Sequence, residues 1–459
     1  MVFHTDTIVA LSTPPGRSGI GVIRISGPSS LSILRTLVAS ESFNPQPNLL
    51  NLRSLIDPST GETLDQALVC YFKAPHSFTG EDLVELHCHG SPVLIRAVID
   101  IVLRADARLA EPGEFSLRAV ANGRLKLAEA EAIRDLIDAQ TDAALRQATR
   151  QLKGEISNEL QPAKDDLLKV IVRLESSLEF VEDDLPALES QDICDALKRV
   201  RAALSKLAGT FRQGRLLRDG LKVALVGRPN VGKSSLFNRL LGHGRAIVTG
   251  IPGTTRDTIT EAMGLDGVPL VLIDTAGIRP SVDEIESIGV ERTRRAAADA
   301  DLLIVVIDGS EALRQEDQNV LSEVANARHI VALNKSDLPS FSIGHFKDLS
   351  VVGELSALIP VSAKTEAGLE SLRAAILQPF ANGSARGESL LITNARHHDL
   401  LVRAIAALDS SERLLGQRVS EELVLVGLHN TLRYLDEITG ETTTEEILGQ
   451  IFSTFCIGK

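Results

Sequence analysis

The sequence predicts a multidomain α/β protein in which a mostly parallel sheet with helices on both faces is inserted into an all-helical domain and preceded by an α+β domain. Three observations predict it. Between residues 220 and 379, short and almost fully apolar runs alternate with helical segments: Val223–Val226, Leu270–Ile273, Leu302–Ile307, Ile330–Leu333 and Leu358–Val361. Runs of that kind belong to parallel strands buried on both faces. On either side, at 123–219 and 380–459, apolar residues recur with helical spacing, as in Ile133, Leu136, Ile137, Leu145, Ala148, Leu152, Ile156 and Leu160. Pro162 is expected to kink or restart this helix. Both stripes need a partner; one discontinuous helical domain satisfies them, and two separate helical domains are the alternative. Residues 1–122 instead show short runs punctuated by Gly and Pro. Strands are expected at 8–11, 21–26, 67–72 and 83–87, with helices near 30–39 and 92–104.

Composition narrows the function classes. The 459 residues are 44% hydrophobic and 24% charged, an ordinary globular balance. No apolar run approaches the roughly 18 residues of a membrane span, and residues 1–10 lack the pattern of a signal peptide. Four cysteines without framework spacing fit a reducing cytoplasm. A net charge of −13 argues against unspecific coating of nucleic acid, and aromatics at 3% argue against a base-stacking platform.

The chemistry concentrates in the 220–379 block. Gly227-Arg228-Pro229-Asn230-Val231-Gly232-Lys233-Ser234 fits the eight-residue P-loop pattern, follows an expected strand and opens an expected helix from Ser235. Its glycines let backbone N–H groups face a phosphate, and the helix N-terminus favours negative charge. Lys233 is expected to reach the β- and γ-phosphates and the Ser234 hydroxyl to ligate Mg²⁺. Asp274-Thr275-Ala276-Gly277 ends the next strand, where the acid can hold Mg²⁺ through water and Gly277 can offer its N–H to the γ-phosphate. In Asn334-Lys335-Ser336-Asp337 a carboxylate can accept both N1–H and the exocyclic amine of guanine, a donor pair that adenine lacks. Ser362-Ala363-Lys364 can pack against the base. The order and spacing resemble the translation-factor class of P-loop GTPases, so the nucleotide is expected to be GTP.

One element is missing. After the Asp274–Gly277 motif, Ras-like switches carry the glutamine that orients the attacking water; here Ile278 stands, with no polar side-chain atom. Asp283, Glu284 or Glu286 could hold a water instead. Gly253-Thr254-Thr255-Arg256-Asp257 supplies the switch hydroxyl, with Thr255 expected to complete the Mg²⁺ coordination. Arg256 fits two roles, an arginine finger or an ion-pair partner of Asp257. Asn230 could hold a monovalent cation where a finger would place its charge.

The P-loop, the 253–257 switch and the terminal Phe455-Cys456-Ile457-Gly458-Lys459 closely resemble the bacterial tRNA-modification GTPase family MnmE, or TrmE. Asp6–Ala10, Thr13–Gly16, Gly21–Gly27, Phe78–Glu85, Arg118 and Asn122–Leu125 are similar to the family's N-terminal motifs, so the resemblance covers essentially the whole chain. It implies a folate-binding-like N-terminal domain that also dimerises, a discontinuous helical domain, and an inserted GTPase domain. It implies action with the FAD-dependent MnmG (GidA) in a heterotetramer, on uridine 34 in the anticodon arm of certain tRNAs. A folate one-carbon unit would help install a carboxymethylaminomethyl or aminomethyl group at C5, driven by GTP hydrolysis.

By position, the resemblance places Arg24, Glu85, Arg124 and Lys459 at 5-formyltetrahydrofolate, with arginine at 124 where the family often has lysine. It places Asn230, Thr249, Ile251 and Thr254 at K⁺, Ser234 and Thr255 at Mg²⁺, and Glu286 at the catalytic water. GTP contacts would further include Val231, Gly232, Lys233, Ser235, Gly250, Pro252, Gly253 and the motifs above. Cys456 becomes a candidate reactive thiol, on a tail expected to be docked through Ile451, Phe452 and Phe455.

Blander readings stand beside these. His87-Cys88-His89 lacks further ligands at zinc-type spacing, and in a strand the two histidines face opposite to the cysteine. Arg396-His397-His398 and Arg433 read as surface residues before tRNA contacts. Lys153, Lys164 and Lys169, interleaved with acids, read as solvated helix faces. The competing function is a GTP-regulated RNA or ribosome-assembly switch without modification chemistry, and a third is a folate enzyme whose GTPase part is regulatory.

Overall fold

The computed structural model describes residues 6–179, 187–243, 245–246, 259–274, 298–346, 355–380, 389–417, 421–442 and 445–458. The chain divides into two compact units, one of Met1–Arg134, Leu152–Leu168 and Leu425–Lys459, the other of Asp135–Gln151 and Lys169–Val424.

The first unit holds a six-stranded sheet of β1 (Thr7–Leu11), β2 (Ser18–Ser26), β3 (Asn51–Ile56), β4 (Thr63–Phe72), β5 (Leu83–Gly90) and β6 (Ala107–Leu109), in the order β3-β4-β5-β2-β1-β6. All neighbours are antiparallel except β1 and β6. The helices α1 (Ser30–Leu37) and α2 (Pro92–Arg104) bury Ile33, Leu34, Leu37, Val98 and Val102 against Ile23, Ile25, Val84 and Leu86. Four expected strands and both helices are present; β3 and β6 were not foreseen. β3 mixes polar with apolar residues at half-exposed positions, and β6 has only three residues.

After α3 (Glu114–Ala121), the helical stripe expected from about 123 breaks into α4 (Leu127–Asp138), α5 (Asp142–Leu152) and α6 (Glu155–Glu179). Gly154, at φ +77°, takes the left-handed turn between α5 and α6. α6 then runs through Pro162, which neither ends nor restarts it.

Lys164 corrects a second expectation. Rather than lying on a solvated face it is 5% exposed, its Nζ 2.6 Å from Asp436 and 2.8 Å from Glu441. Burial alone would lower the ammonium pKa, but the two carboxylates outweigh it and the net direction is up. Lys164→Ala would leave Asp436 without its cation. A loss of about 2 kcal/mol is expected, below that for a fully buried pair because Glu441 is half exposed. Thermal unfolding of the variant measures this, and an unchanged Tm contradicts it.

The second unit carries α7 (Ala187–Ala208), α8 (Phe211–Asp219) and a seven-stranded sheet. Its strands are β7 (Leu221–Val226), β8 (Arg245–Ala246), β9 (Ile259–Leu265), β10 (Val268–Asp274), β11 (Leu302–Asp308), β12 (His329–Asn334) and β13 (Leu355–Pro360). The order is β13-β12-β11-β7-β10-β9-β8, with the first five mutually parallel, β9 antiparallel to β10, and β8 antiparallel to β9 at the edge. All five expected apolar runs are strands. The edge hairpin was not foreseen, although Asp266 and Gly267 at its turn, both with positive φ, are a known hairpin signal. The helices are α9 (Lys233–His243), α10 (Gln315–Val324), α11 (Leu369–Ile376) and α12 (Ala395–Gly416); α13 (Glu421–Thr439) and α14 (Glu445–Phe452) complete the chain.

Residues 389–393 form a strap in this unit, buried from Leu391 to Thr393. Gln147 and Gln151 of α5 hydrogen-bond its backbone at Ser389 and Leu391, and Thr210 accepts from the Ile392 N–H. Leu391 packs with Ala143, Leu216 and Leu217 in the same core as β7 and β10.

Candidate functional site

β7 is fully apolar from Val223 to Val226, which pins its end at the sheet's centre and delivers the P-loop there. Gly227, at φ +148°, passes so close to β11 that a Cβ would lie 2.3 Å from the Val306 carbonyl oxygen. Asn230 is left-handed at φ +62°, which Asn tolerates better than most residues. Lys233 donates from Nζ to the carbonyls of Gly227 and Arg228, at 2.8 Å each, so the loop curls around its own ammonium. Ser234 and Ser235 stand exposed in the first turn of α9. Val231 is buried in the sheet core.

Asn334, at the end of β12, joins this loop to the base-recognition segment. It is 2% exposed; its Nδ2 donates to the Val231 carbonyl at 2.8 Å and its Oδ1 accepts the Ala363 N–H at 3.1 Å. Ser336 N–H bonds to the Val361 carbonyl, and the Ser362 hydroxyl donates to Asp337 Oδ1 at 2.7 Å. Ser362 also accepts from the N–H groups of Lys364 and Thr365. The Ser362 bond holds the exposed Asp337 carboxyl below the usual range, so it is an acceptor at neutral pH. Gly232, Ser235, Asn334, Lys335, Asp337 and Lys364 line a cleft of about 600 Å³ between these segments.

Two contributors were missed in the sequence. Asp308, last in β11, takes the Lys335 ammonium at 2.5 Å. Burial pushes its carboxyl up, but hydrogen bonds from Lys335 and Ser310 outweigh this and the net direction is down. Arg228 pairs with Glu311 at 2.9 Å and Asp317 at 3.2 Å. The only sequence signal for either was an acid closing an apolar strand and an arginine inside a glycine loop.

Asp274 ends β10 in register with Leu225 and Ile259. Thr249, Gly250, Ile251, Pro252, Gly253, Thr254, Thr255, Arg256, Thr275, Ala276, Gly277, Ile278, Asp283, Glu284, Glu286 and Lys459 lie outside the described residues.

In the first unit, Arg24 and Glu85 face each other across β2 and β5, Nε to Oε1 at 2.8 Å. The Arg24 guanidinium lies 5.4 Å from the Phe78 ring centre, and Arg124 Nε donates to the Ser77 carbonyl at 3.1 Å. Three of the four expected folate contacts therefore cluster around segment 77–85. His87 contacts Glu85 and His89 contacts Asp65, while Cys88 is buried on the opposite face, as strand alternation requires. Among the described residues no cluster of metal-binding type occurs, and no helix is long and apolar enough to cross a membrane.

The C-terminal tail is docked as expected. Phe452 and Phe455 are buried with Leu127 and Ala130, their rings 5.0 Å apart. The Cys456 carbonyl accepts from Gly113 N–H, and Gly458 packs on Leu11 and takes the Ser12 hydroxyl, leaving Cys456 exposed.

A central parallel sheet that ends in a lysine-curled glycine loop, cross-tied to an Asn-Lys-Ser-Asp segment at the end of a neighbouring strand, is the construction of a P-loop GTPase. Comparison with known proteins narrows this. Residues 127–456 match the family described as "MnmE helical domain", and residues 7–124 match "GTP-binding protein TrmE N-terminus". The chain is 46% identical to the tRNA modification GTPase MnmE of Koribacter versatilis, over 99% of both chains. It is 43% identical to that of Heliobacterium modesticaldum, over 99% of both, and 42% identical to that of Aquifex aeolicus, over 99% of this chain and all of that one. Against solved structures, it aligns over 34% of its length with the G domain of the T. maritima FeoB iron transporter, at 28% identity and a TM-score of 0.27. The chain belongs to the MnmE family of tRNA modification GTPases.

Proposed function

We propose that this chain hydrolyses GTP to drive modification of uridine 34 in tRNA, acting with the FAD protein MnmG and a folate one-carbon unit. The observation that carries the reading is the cross-tie at Asn334, which brings the P-loop and the segment carrying Asp337 to one cleft. Full-length identity to relatives named for tRNA modification supports the substrate class. The four-part division at 122, 219 and 379 belongs to the same proposal, as does a cytoplasmic location.

In this mechanism the P-loop N–H groups and Lys233 grip the β- and γ-phosphates, and Asp337 selects guanine. Ser234, with its hydroxyl exposed at the start of α9, fits a magnesium ligand, together with Thr255. Asn230, fixed on the loop by its left-handed backbone, fits an oxygen ligand for K⁺, with Thr249, Ile251 and Thr254. When bound, the two cations supply positive charge at the phosphates. Glu286 orients the water, a role Ile278 lacks the atoms for, and Arg256 is an auxiliary candidate. Arg24, Glu85, Arg124 and Lys459 hold the folate; the first two are already paired, and Arg24 lies over the Phe78 ring, a surface suited to a polar, flat ligand. Cys456, exposed on a docked tail, is the candidate reactive thiol of this reading.

The homodimer draws support from the sheet face that the helices leave bare. Leu52, Leu68, His87 and Val22 lie in register across four strands, with Leu52 59% and Leu68 40% exposed and Ile20 nearby at 60%. The deciding experiment is mass spectrometry of wobble-uridine nucleosides in a strain lacking its own family member. The chain is expected to restore the C5 group and Lys233→Ala to fail; unrestored nucleosides with the intact chain defeat the reading.

A further inference from the structure

We propose that the segment from Asp308 to Asp317, between β11 and α10, is a positioning bracket that sets the base end of the GTP cleft through Lys335 and its phosphate end through Arg228. This rests on the reading of the cleft as a GTP site and adds which residues outside the motifs set its geometry.

At the base end Asp308 is 4% exposed and holds the Lys335 ammonium at 2.5 Å. Its own position is fixed by the Ser310 N–H at 3.1 Å and the Ser310 hydroxyl at 2.6 Å. The next residue, Gly309, donates its N–H to the Asn334 carbonyl at 2.9 Å. Lys335 has φ +65°, a conformation an L side chain rarely adopts, and it immediately precedes Ser336 and Asp337. The ammonium tie therefore holds a disfavoured backbone turn in the shape that presents Asp337.

At the phosphate end the Arg228 side chain is 9% exposed, and Asp317 is 2% exposed. Asp317 also accepts the Arg314 N–H at 3.2 Å in the capping box of α10, so it is anchored independently of Arg228. The Arg228 carbonyl is one of the two that aim Lys233. A guanidinium clamped between Glu311 and an anchored Asp317 thus fixes where Lys233 points.

The two ends act on different parts of the reaction. Base contacts are the same in the ground and transition states, so loosening them weakens binding uniformly and appears in KM. Lys233 also meets the β-phosphate in the ground state, but its pull grows with the charge developing on the transferring phosphoryl group, so misaiming it appears chiefly in kcat. The test measures GTP turnover and fluorescent-GDP affinity of the full chain. Asp308→Asn is expected to raise KM and the GDP Kd about tenfold with at most about twofold loss of kcat. Arg228→Lys keeps the charge but not the fork, and is expected to lower kcat about tenfold with the GDP Kd within about threefold. Glu311→Gln, at a half-exposed position that tolerates change, should lower kcat about threefold and serves if Arg228→Lys fails to fold; Ser310→Ala, which removes one of the bonds that fix Asp308, should raise the GDP Kd about threefold and serves if Asp308→Asn does. Variants that only melt earlier, or that move KM and kcat alike at both ends, overturn the bracket. Failure of the unmodified chain to bind GDP would instead defeat the GTP reading itself.

Discussion

Gly232→Ala is expected to abolish guanine-nucleotide binding while leaving the sheet folded. Gly232 sits at φ +96°, where an L side chain is strained, and its added Cβ would stand 2.2 Å from Asn334 Nδ2. That amide has no room to yield. It is buried and committed to the Val231 carbonyl on one side and, through Oδ1, to the Ala363 N–H on the other. Displacing it unties the phosphate loop from the base segment together, so both ends of the cleft lose their register. A fall in GDP affinity of more than about 100-fold is expected, the size of losing two or three buried hydrogen bonds at roughly 1–1.5 kcal/mol each. Calorimetric titration with GDP measures it, and far-UV circular dichroism checks that the fold survives. Affinity within about threefold of the parent would show that the cross-tie does not organise the cleft.

The second large effect is a change of nucleotide. Asp337→Asn replaces an acceptor-only carboxylate by an amide that also donates. Guanine offers two donors to this position, so GTP should bind roughly 10²- to 10⁴-fold more weakly, the loss of two charge-assisted hydrogen bonds. Xanthine carries a carbonyl where guanine carries the amine, and the new amide can donate to it. XTP should therefore bind better than GTP, while Ser362, whose hydroxyl can still donate to the Asn oxygen, keeps the segment in shape. Competition of GDP, XDP and ADP against fluorescent GDP on the parent and against fluorescent XDP on the variant reads the switch. An unaltered preference for GDP would remove Asp337 from base recognition.

The parallel strands were legible because burial on both faces leaves almost no polar residue in them, as in Leu302–Ile307. The edge strands β3 and β6, partly in water, carry mixed residues and left no such mark. The phosphate and guanine motifs were legible for a related reason: each is a contiguous segment whose backbone shape demands its own Gly, Lys or Asp. What joins them was not, because the Asn334 tie to Val231 spans 103 residues and no local pattern announces it. The same holds for Arg228 with Asp317, and for Lys164, whose acidic partners sit on and after α13 rather than beside it. Local charge alternation around Lys164 looks like a solvated face until the partner helix is in place.

The absence of a polar side chain at Ile278 leaves the charge and the water of hydrolysis to other groups, and the proposed answer is K⁺ at Asn230 with Glu286 steering the solvent molecule. GTP turnover by the full chain in KCl against NaCl at equal ionic strength, with Asn230→Ala beside the parent, tests this most directly. Parent turnover at least about tenfold faster in potassium, with that advantage gone in the variant, is expected. Equal rates in the two salts, or a variant as fast and as salt-sensitive as its parent, would contradict it.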